Sequence, residues 1–241
     1  MTTLAPVAPS SITPFPIVFA VYPDVTQLDF TGPHEVLSKL PGARCLLASC
    51  EGGRVMADGG LCFDTQRLSE IEDCALLCVP GGYGVTSMLE NADFIAQLRR
   101  LASRSRFITS VCSGSLLLGA AGLLYGKRAA CHWAWRDLLS EFDGVIPDTA
   151  RVVRDGNVFT GGGVTAGIDM ALTVMAEVAG NAHAQAVTLG MEYAPAPPFN
   201  AGRPELAAPA ILATVRKRLD SAREQRQIAV QRAAQALREL V

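Results

Sequence analysis

Apolar residues fall along this chain in two alternating patterns. Short runs of β-prone residues, Ile17–Tyr22, Arg44–Ser49, Leu76–Val79 and Phe107–Val111, each stop at a Pro, Gly or Ser/Gly turn and predict buried strands. Weaker β signals lie at Arg54–Met56 and Leu61–Thr65. Helical spacing predicts helices over residues 32–40 (with Pro33 in the first turn), Asp93–Ser103, 113–121, 133–140, Thr165–Val178 and 181–192. Arg151–Arg154 and Val158–Thr160 flank Asp155-Gly156-Asn157, a hairpin turn. Residues 194–202 hold too many prolines for regular structure and predict a stiff crossing segment. A long helical pattern follows over 206–240. Leu212, Val215, Leu219 and Ala222 share one face, which Ala229, Ala233, Ala236 and Leu240 continue.

Strands alternating with helices predict an α/β sheet, mostly parallel, covered on both faces. Ligands in such sheets bind at the carboxyl ends of the strands. Four turns qualify: the segment around Asp29, Gly81-Gly82, Cys112-Ser113 and Gly161–Gly163. Cys112 stands where an apolar strand meets Ser113-Gly114-Ser115 and a buried helix. A thiol there projects from the sheet edge at a helix N-terminus, whose dipole favours thiolate, on a turn like a serine nucleophile elbow. The competing reading is a small buried hydrophobe. Asp29 reads as an acid or as a helix N-cap before Gly32-Pro33. Gly81-Gly82 can be simply a sharp turn. Gly161–Gly163 lacks the Lys-Ser/Thr pair of a phosphate loop and predicts close packing. His132, beside Trp133, reads as a core or turn histidine more than as a base. Cys131 ends a strand-like Ala129-Ala130-Cys131, and Asp169 reads as a locally paired helix residue.

With 241 residues, 49% of them hydrophobic, the chain can bury one large core, expected as a single domain over 15–241 behind a flexible Pro/Ser/Thr extension over 1–14. A net charge of −2 points away from nucleic acid. The seven Arg/Lys of residues 215–241 (Arg226 among them) read as a solvated helix face. Seven cysteines, an odd number with no CxxC, fit reduced thiols in a cytoplasmic protein. The three histidines lack metal-ligand spacing, so no zinc is expected. The N-terminal residues lack the charges and apolar core of a signal peptide, and no apolar run reaches membrane-spanning length.

Several segments together resemble the ThiJ/PfpI superfamily. These are Tyr22-Pro23-Asp24-Val25-Thr26-Gln27-Leu28-Asp29-Phe30-Thr31-Gly32-Pro33, Val79-Pro80-Gly81-Gly82-Tyr83-Gly84 and Ser110-Val111-Cys112-Ser113-Gly114. Residues 126–133, 160–169 and 192–202 resemble its isonitrile hydratase branch, and the likeness runs from about residue 16 to 240. The resemblance implies a flavodoxin-like sandwich, akin to class I glutamine amidotransferases, with a long C-terminal helix, usually in a homodimer. It implies addition of water to an isonitrile to give an N-substituted formamide, without metal or organic cofactor. Carried onto this chain, Cys112 is the nucleophile and Asp29 the acid/base, through a thioimidate. Ser113 joins them, and the turn at Gly82 and Tyr83 faces substrate, with the N–H groups near Gly82 and Ser113 binding developing charge. Ser113 stands where that branch commonly has threonine: the hydroxyl survives, but the β-methyl that restricts its rotamer is lost. Peptidases of the superfamily place a histidine after the nucleophile. Glyoxalase- or deglycase-like members, the runner-up, prefer glutamate at position 29. A cysteine redox sensor is the rival from another class. A transcription-factor relative needs an added DNA-binding domain, for which residues 215–241 are too few.

Overall fold

A computed structural model describes residues 13–240. The first strands are β1 (Phe15–Ala20), β2 (Ala43–Ser49), β3 (Gly53–Met56), β4 (Cys62–Arg67), β5 (Leu76–Val79) and β6 (Phe107–Val111). Later strands are β7 (Arg128–Ala130), β8 (Ile146–Asp148), β9 (Val152–Asp155) and β10 (Val158–Gly161). Eight of them form one sheet in the order β3-β4-β2-β1-β5-β6-β10-β9, while β7 pairs only with β8. Pairing is parallel from β4 across to β10, and the two outermost strands, β3 and β9, run antiparallel to their neighbours. The three central strands β1, β5 and β6 are almost wholly buried, as expected for a parallel sheet covered on both faces.

The helices are α1 (Leu28–Leu37), α2 (Val85–Leu89), α3 (Ala92–Ala102), α4 (Gly114–Ala120), α5 (Ala166–Ala179), α6 (Asn181–Gly190) and α7 (Pro209–Arg238). α1, α5 and α6 pack as one layer, and α2, α3, α4 and α7 as the other. No helix among the described residues is long and apolar enough to cross a membrane.

The flavodoxin-like, mostly parallel sandwich with a long C-terminal helix is the architecture expected. Two elements differ. The helix expected over 32–40 starts earlier, at Leu28, so Asp29 lies inside its first turn and is not an N-cap. The helix expected over 133–140 is a 3-10 helix, Arg136–Glu141, whose buried Leu138 and Leu139 are adjacent in sequence and need no helical stripe. Two short elements had no periodic window to reveal them: α2, of five residues, and β8, of three. Of the expected extension over 1–14, all but the last two residues lie outside the described chain.

The winding order of the chain reverses at the centre of the sheet. From β1 the chain moves outward to β2, then returns past β1 to β5 and continues to β6. The loops leaving β1 and β5 therefore diverge, which opens a crevice above their carboxyl ends. α4 begins beside that crevice under tight constraint. A Cβ on Gly114 would lie 2.2 Å from the Val79 carbonyl oxygen and 2.7 Å from that of Pro80. Gly114→Ala is expected to destabilise the fold by about 1–3 kcal/mol. Gly190→Ala, where nothing lies within 4 Å, is the neutral control. Urea unfolding of the two variants checks this, and equal midpoints would refute the close approach.

Candidate active site

Three chain segments meet at the crevice: the start of α1 after β1, the Pro80–Gly84 turn after β5, and the β6–α4 junction. Cys112 is that junction. Its φ of +59° is left-handed, a conformation that costs a non-glycine residue about 1–3 kcal/mol. Both faces of its backbone are tied down: its N–H donates to Gly161 O at 3.0 Å, and its carbonyl accepts from His132 N–H at 3.3 Å. The strained turn is thus held from β10 and from the segment after β7, and α4 follows at once from Ser113.

Asp29 is fully buried. Its Oδ2 accepts from Gly81 N–H at 3.0 Å, while Oδ1 has no hydrogen-bond partner among the described residues. Burial pushes its pKa from 3.8 up to about 7, against the lowering pull of the Gly81 N–H and the Cys112 thiol; Asp58 adds a smaller upward push. Cys112 is pushed well above the ordinary thiol range, by burial first, then by the Asp29 charge and Cys131. The Ser113 N–H and Arg226 oppose this. This direction is opposite to the one expected from the helix dipole. α4 is only seven residues long, and desolvation plus a neighbouring carboxylate outweigh its N–H groups. The two groups form a coupled pair, a thiol beside a carboxyl that holds its proton to near neutrality.

Gly81 and Gly82 bring the pair together. A Cβ on Gly81 would lie 2.6 Å from Ser113 N, 2.7 Å from Ser113 Oγ and 2.8 Å from Asp29 Oδ2. Gly82, at φ +134°, would meet Thr26 N at 2.5 Å. The glycine pair is thus more than a sharp turn: any side chain would wedge the acid away from the elbow. Ser113 Oγ accepts from Gly82 N–H at 3.2 Å. This corrects one expectation. The Gly82 N–H is committed to Ser113 and is not free to bind developing charge. The Ser113 hydroxyl proton makes only a long 3.5 Å contact to Gly82 O, which leaves it available to a substrate.

The carbonyls of this turn are held one by one. Pro80 O accepts from Tyr22 Oη at 2.5 Å and Gly81 O from Thr26 N–H at 3.0 Å. Gly82 O and Tyr83 O accept from Arg226 Nη2 at 2.9 and 3.2 Å. The structure thus brings Asp29, Ser113 and Gly82 to Cys112. Tyr83 joins by its backbone, while the residue as a whole is 53% exposed.

Other candidates fall away from the pair. His132 is held neutral, with its pKa pulled down to about 4 by burial and by Arg226 and Arg136, and its Nδ1 accepts from Ala134 N–H. Cys131 is pushed up to about 11 by burial. Asp169 pairs with Arg151 and accepts from Tyr193 Oη at 2.7 Å. His132 and Gly162 line a cavity of about 430 Å³ with Trp133, Arg136 and Arg151. Since His132 and Gly161 hold the Cys112 backbone, this cavity adjoins the elbow.

The residue that sequence reasoning missed is Arg226. Counted among solvated charges, it is in fact 1% exposed. The signal was present: Arg226 occupies the apolar stripe of α7, between Ala222 and the buried Ala229, Val230 and Ala233. A charge inside such a stripe is either misplaced or used.

Residues 16–177 match the model of the DJ-1/PfpI family. The chain is 47% identical over 224 residues to the isonitrile hydratase of Pseudomonas putida, covering 92% of this chain and 97% of that one. The crystal structure of a ThiJ/PfpI family protein from Pseudomonas syringae superposes with a TM-score of 0.87 at 36% identity, over 95% of this chain and 97% of that one. An HTH-type transcriptional regulator, GbdR of Pseudomonas aeruginosa, is 31% identical over 183 residues, which are 71% of this chain but 49% of the regulator.

The buried acid makes stability depend on pH. Between about 4 and 7 the folded chain keeps a proton that an unfolded aspartate, near 3.8, has already released. This contribution is full at acid pH and is lost as pH rises through about 7, by up to about 4 kcal/mol. Asp29→Asn keeps the acceptor for Gly81 N–H and has no proton to lose. Relative to the variant, the wild type is expected to lose stability from pH 5 to pH 8 in denaturant titrations. Parallel pH profiles would show that Asp29 is not a buried acid.

Proposed function

The chain belongs to the DJ-1/PfpI family, and from that premise we propose that it is an isonitrile hydratase working through Cys112 and Asp29. The observation that carries the reading is the buried acid–thiol pair itself: an unpartnered carboxyl oxygen beside a thiol on a strained turn, in a chain 47% identical to an isonitrile hydratase over nearly its whole length.

The isonitrile carbon must gain a proton and a nucleophile. A pair that shares one proton between a carboxyl and a soft sulfur is suited to supply both. The thiol S–H adds across the terminal carbon: the C–S bond forms, and the proton reaches that carbon by way of Asp29, giving R–N=CH–S–Cys112. The developing sulfur charge meets the Ser113 N–H, and the Ser113 hydroxyl proton faces the nitrogen. Water then adds to the thioimidate carbon, giving its proton to the Asp29 carboxylate. The substrate nitrogen takes a proton from Asp29. Collapse of R–NH–CH(OH)–S–Cys112 expels the sulfur, which recovers a proton, and releases R–NH–CHO. In this scheme water is the only co-reactant, and the enzyme is a lyase of the hydro-lyase type that uses no metal or organic cofactor.

Asp29, where the glyoxalase-like branch prefers glutamate, supports the hydratase reading, and the raised pKa and burial of Cys112 count against a redox sensor. The proposal extends to a single cytoplasmic domain over 15–241, supported by one continuous eight-stranded sheet and by α7 packing back onto α2 and α4, the helices that cover it. It extends also to a homodimer, supported by the exposed Leu189, Phe199, Leu206 and Ile211 along one stretch of chain.

Incubation with alkyl and aryl isonitriles, following formamide by NMR, tests the chemistry. Cys112→Ala is expected to abolish turnover, Asp29→Asn to lower kcat by about 10²–10⁴-fold, and Ser113→Ala to lower it less. Intact-mass spectra of Asp29→Asn should show any slowed thioimidate as an adduct of one substrate mass. Turnover by Cys112→Ala would sink the covalent route, and conversion of methylglyoxal in place of isonitriles would favour the glyoxalase-like alternative.

A further inference from the structure

Arg226 is a buried cation that lacks the usual reason for being buried. No carboxylate lies within ion-pair distance of it among the described residues. An unpaired buried charge is destabilising, and most arginines of α7 avoid it: Arg223, Arg232 and Arg238 each reach a surface acid. Arg226 instead lays its guanidinium over the Trp135 ring at 4.4 Å, donates through Nε to Thr86 Oγ1 at 3.1 Å, and donates through Nη2 to the carbonyls of Gly82 and Tyr83.

These contacts single out the turn that the site depends on. Gly81 N–H holds Asp29 and Gly82 N–H holds Ser113, so the orientation of that turn sets the spacing between acid and elbow. The Pro80 and Gly81 carbonyls are fixed by Tyr22 and Thr26 from the β1 side, and those of Gly82 and Tyr83 take their shortest hydrogen bonds from Arg226, in the opposite helical layer.

Building on the hydratase reading, we propose that Arg226 is a positioning residue of the catalytic centre: from the C-terminal helix it clamps the Gly82 and Tyr83 carbonyls and so aims the turn at Asp29 and Ser113. The groups acting electrostatically on Cys112 fit this role. Asp29 from α1 and Cys131 after β7 disfavour the thiolate, while the Ser113 N–H just before α4 and Arg226 from α7 favour it. Arg226 thus opposes the upward push that burial and Asp29 give the Cys112 thiol. A solvated helix at the chain's end becomes part of the site, although it lies more than a hundred residues from Cys112 in sequence.

Arg226→Met, Arg226→Lys and Thr86→Val test this with two readouts: steady-state isonitrile hydration, and the pH dependence of iodoacetamide alkylation at Cys112, followed by peptide mass spectrometry. Arg226→Met is expected to lower kcat about tenfold or more with little change in KM, and to move Cys112 alkylation to higher pH. Arg226→Lys keeps the charge but not the two-carbonyl clamp, so its alkylation profile should stay near wild type while kcat falls. Thr86→Val loosens the guanidinium and should lower kcat modestly. Wild-type kcat and alkylation in a folded Arg226→Met would overturn the proposal. If that variant does not fold, unchanged kcat in both Arg226→Lys and Thr86→Val would overturn it. If the wild type hydrates no isonitrile, the hydratase reading fails, and the alkylation profiles alone decide whether Arg226 tunes the thiol.

Discussion

A carboxyl group shut away from water must find partners or keep its proton, and the centre of this molecule is built around one that does some of each. Asp29 has a single backbone donor, Gly81 N–H, on one oxygen, no hydrogen-bond partner on the other among the described residues, and the Cys112 thiol beside it. Full satisfaction would yield an ordinary ionised aspartate, useful for structure and inert as a proton carrier. Leaving one oxygen unpartnered costs about 1–3 kcal/mol. The benefit is a group that changes protonation near neutral pH, beside a sulfur that does not ionise by itself.

Much of the fold follows from holding that arrangement. The crevice exists because the order in which the chain winds through the sheet reverses between β1 and β5, which brings α1 and the glycine turn together at the strands' carboxyl ends. The Cys112 elbow can stay strained because β10 and the segment after β7 each take one of its backbone hydrogen bonds. Gly81 and Gly114 allow backbone approaches that no side chain would permit. Asp29 with its orphaned oxygen, the elbow that Ser113 follows and the buried Arg226 all converge on the Gly81–Tyr83 turn, while the central strands are apolar and regular. Local violations concentrated in an otherwise consistent fold are what a functional site requires.

The sheet and most helices were legible in the sequence because their signals are local. Runs such as Ile17–Tyr22 and Phe107–Val111 end at turn residues, and α3 and α5 carry apolar stripes. Cys112 and Asp29 were legible as candidates because both fall at strand ends. What was not legible depends on contacts distant along the chain. The thiol's raised pKa depends on burial and on Asp29, 83 positions away, so a helix-dipole argument from neighbouring residues points the wrong way. That the Gly82 N–H is already occupied follows only from the position of Ser113. Arg226 reads as solvated until the turn it clamps is seen beneath it.

The same logic removes the difficulty at Ser113. In place of the threonine common in the hydratase branch, a serine loses the β-methyl that restricts its side chain. In this fold another element supplies the restriction. Ser113 Oγ accepts from Gly82 N–H, and the space where a Gly81 side chain would stand is filled by that oxygen and by Asp29 Oδ2. The hydroxyl is therefore fixed from outside its own residue, by a turn whose carbonyls are each anchored. A β-methyl would restrict a rotamer that the turn already selects. Serine can serve at this position for as long as the turn is rigid, so the tolerance at position 113 and the clamp from α7 depend on the same piece of backbone.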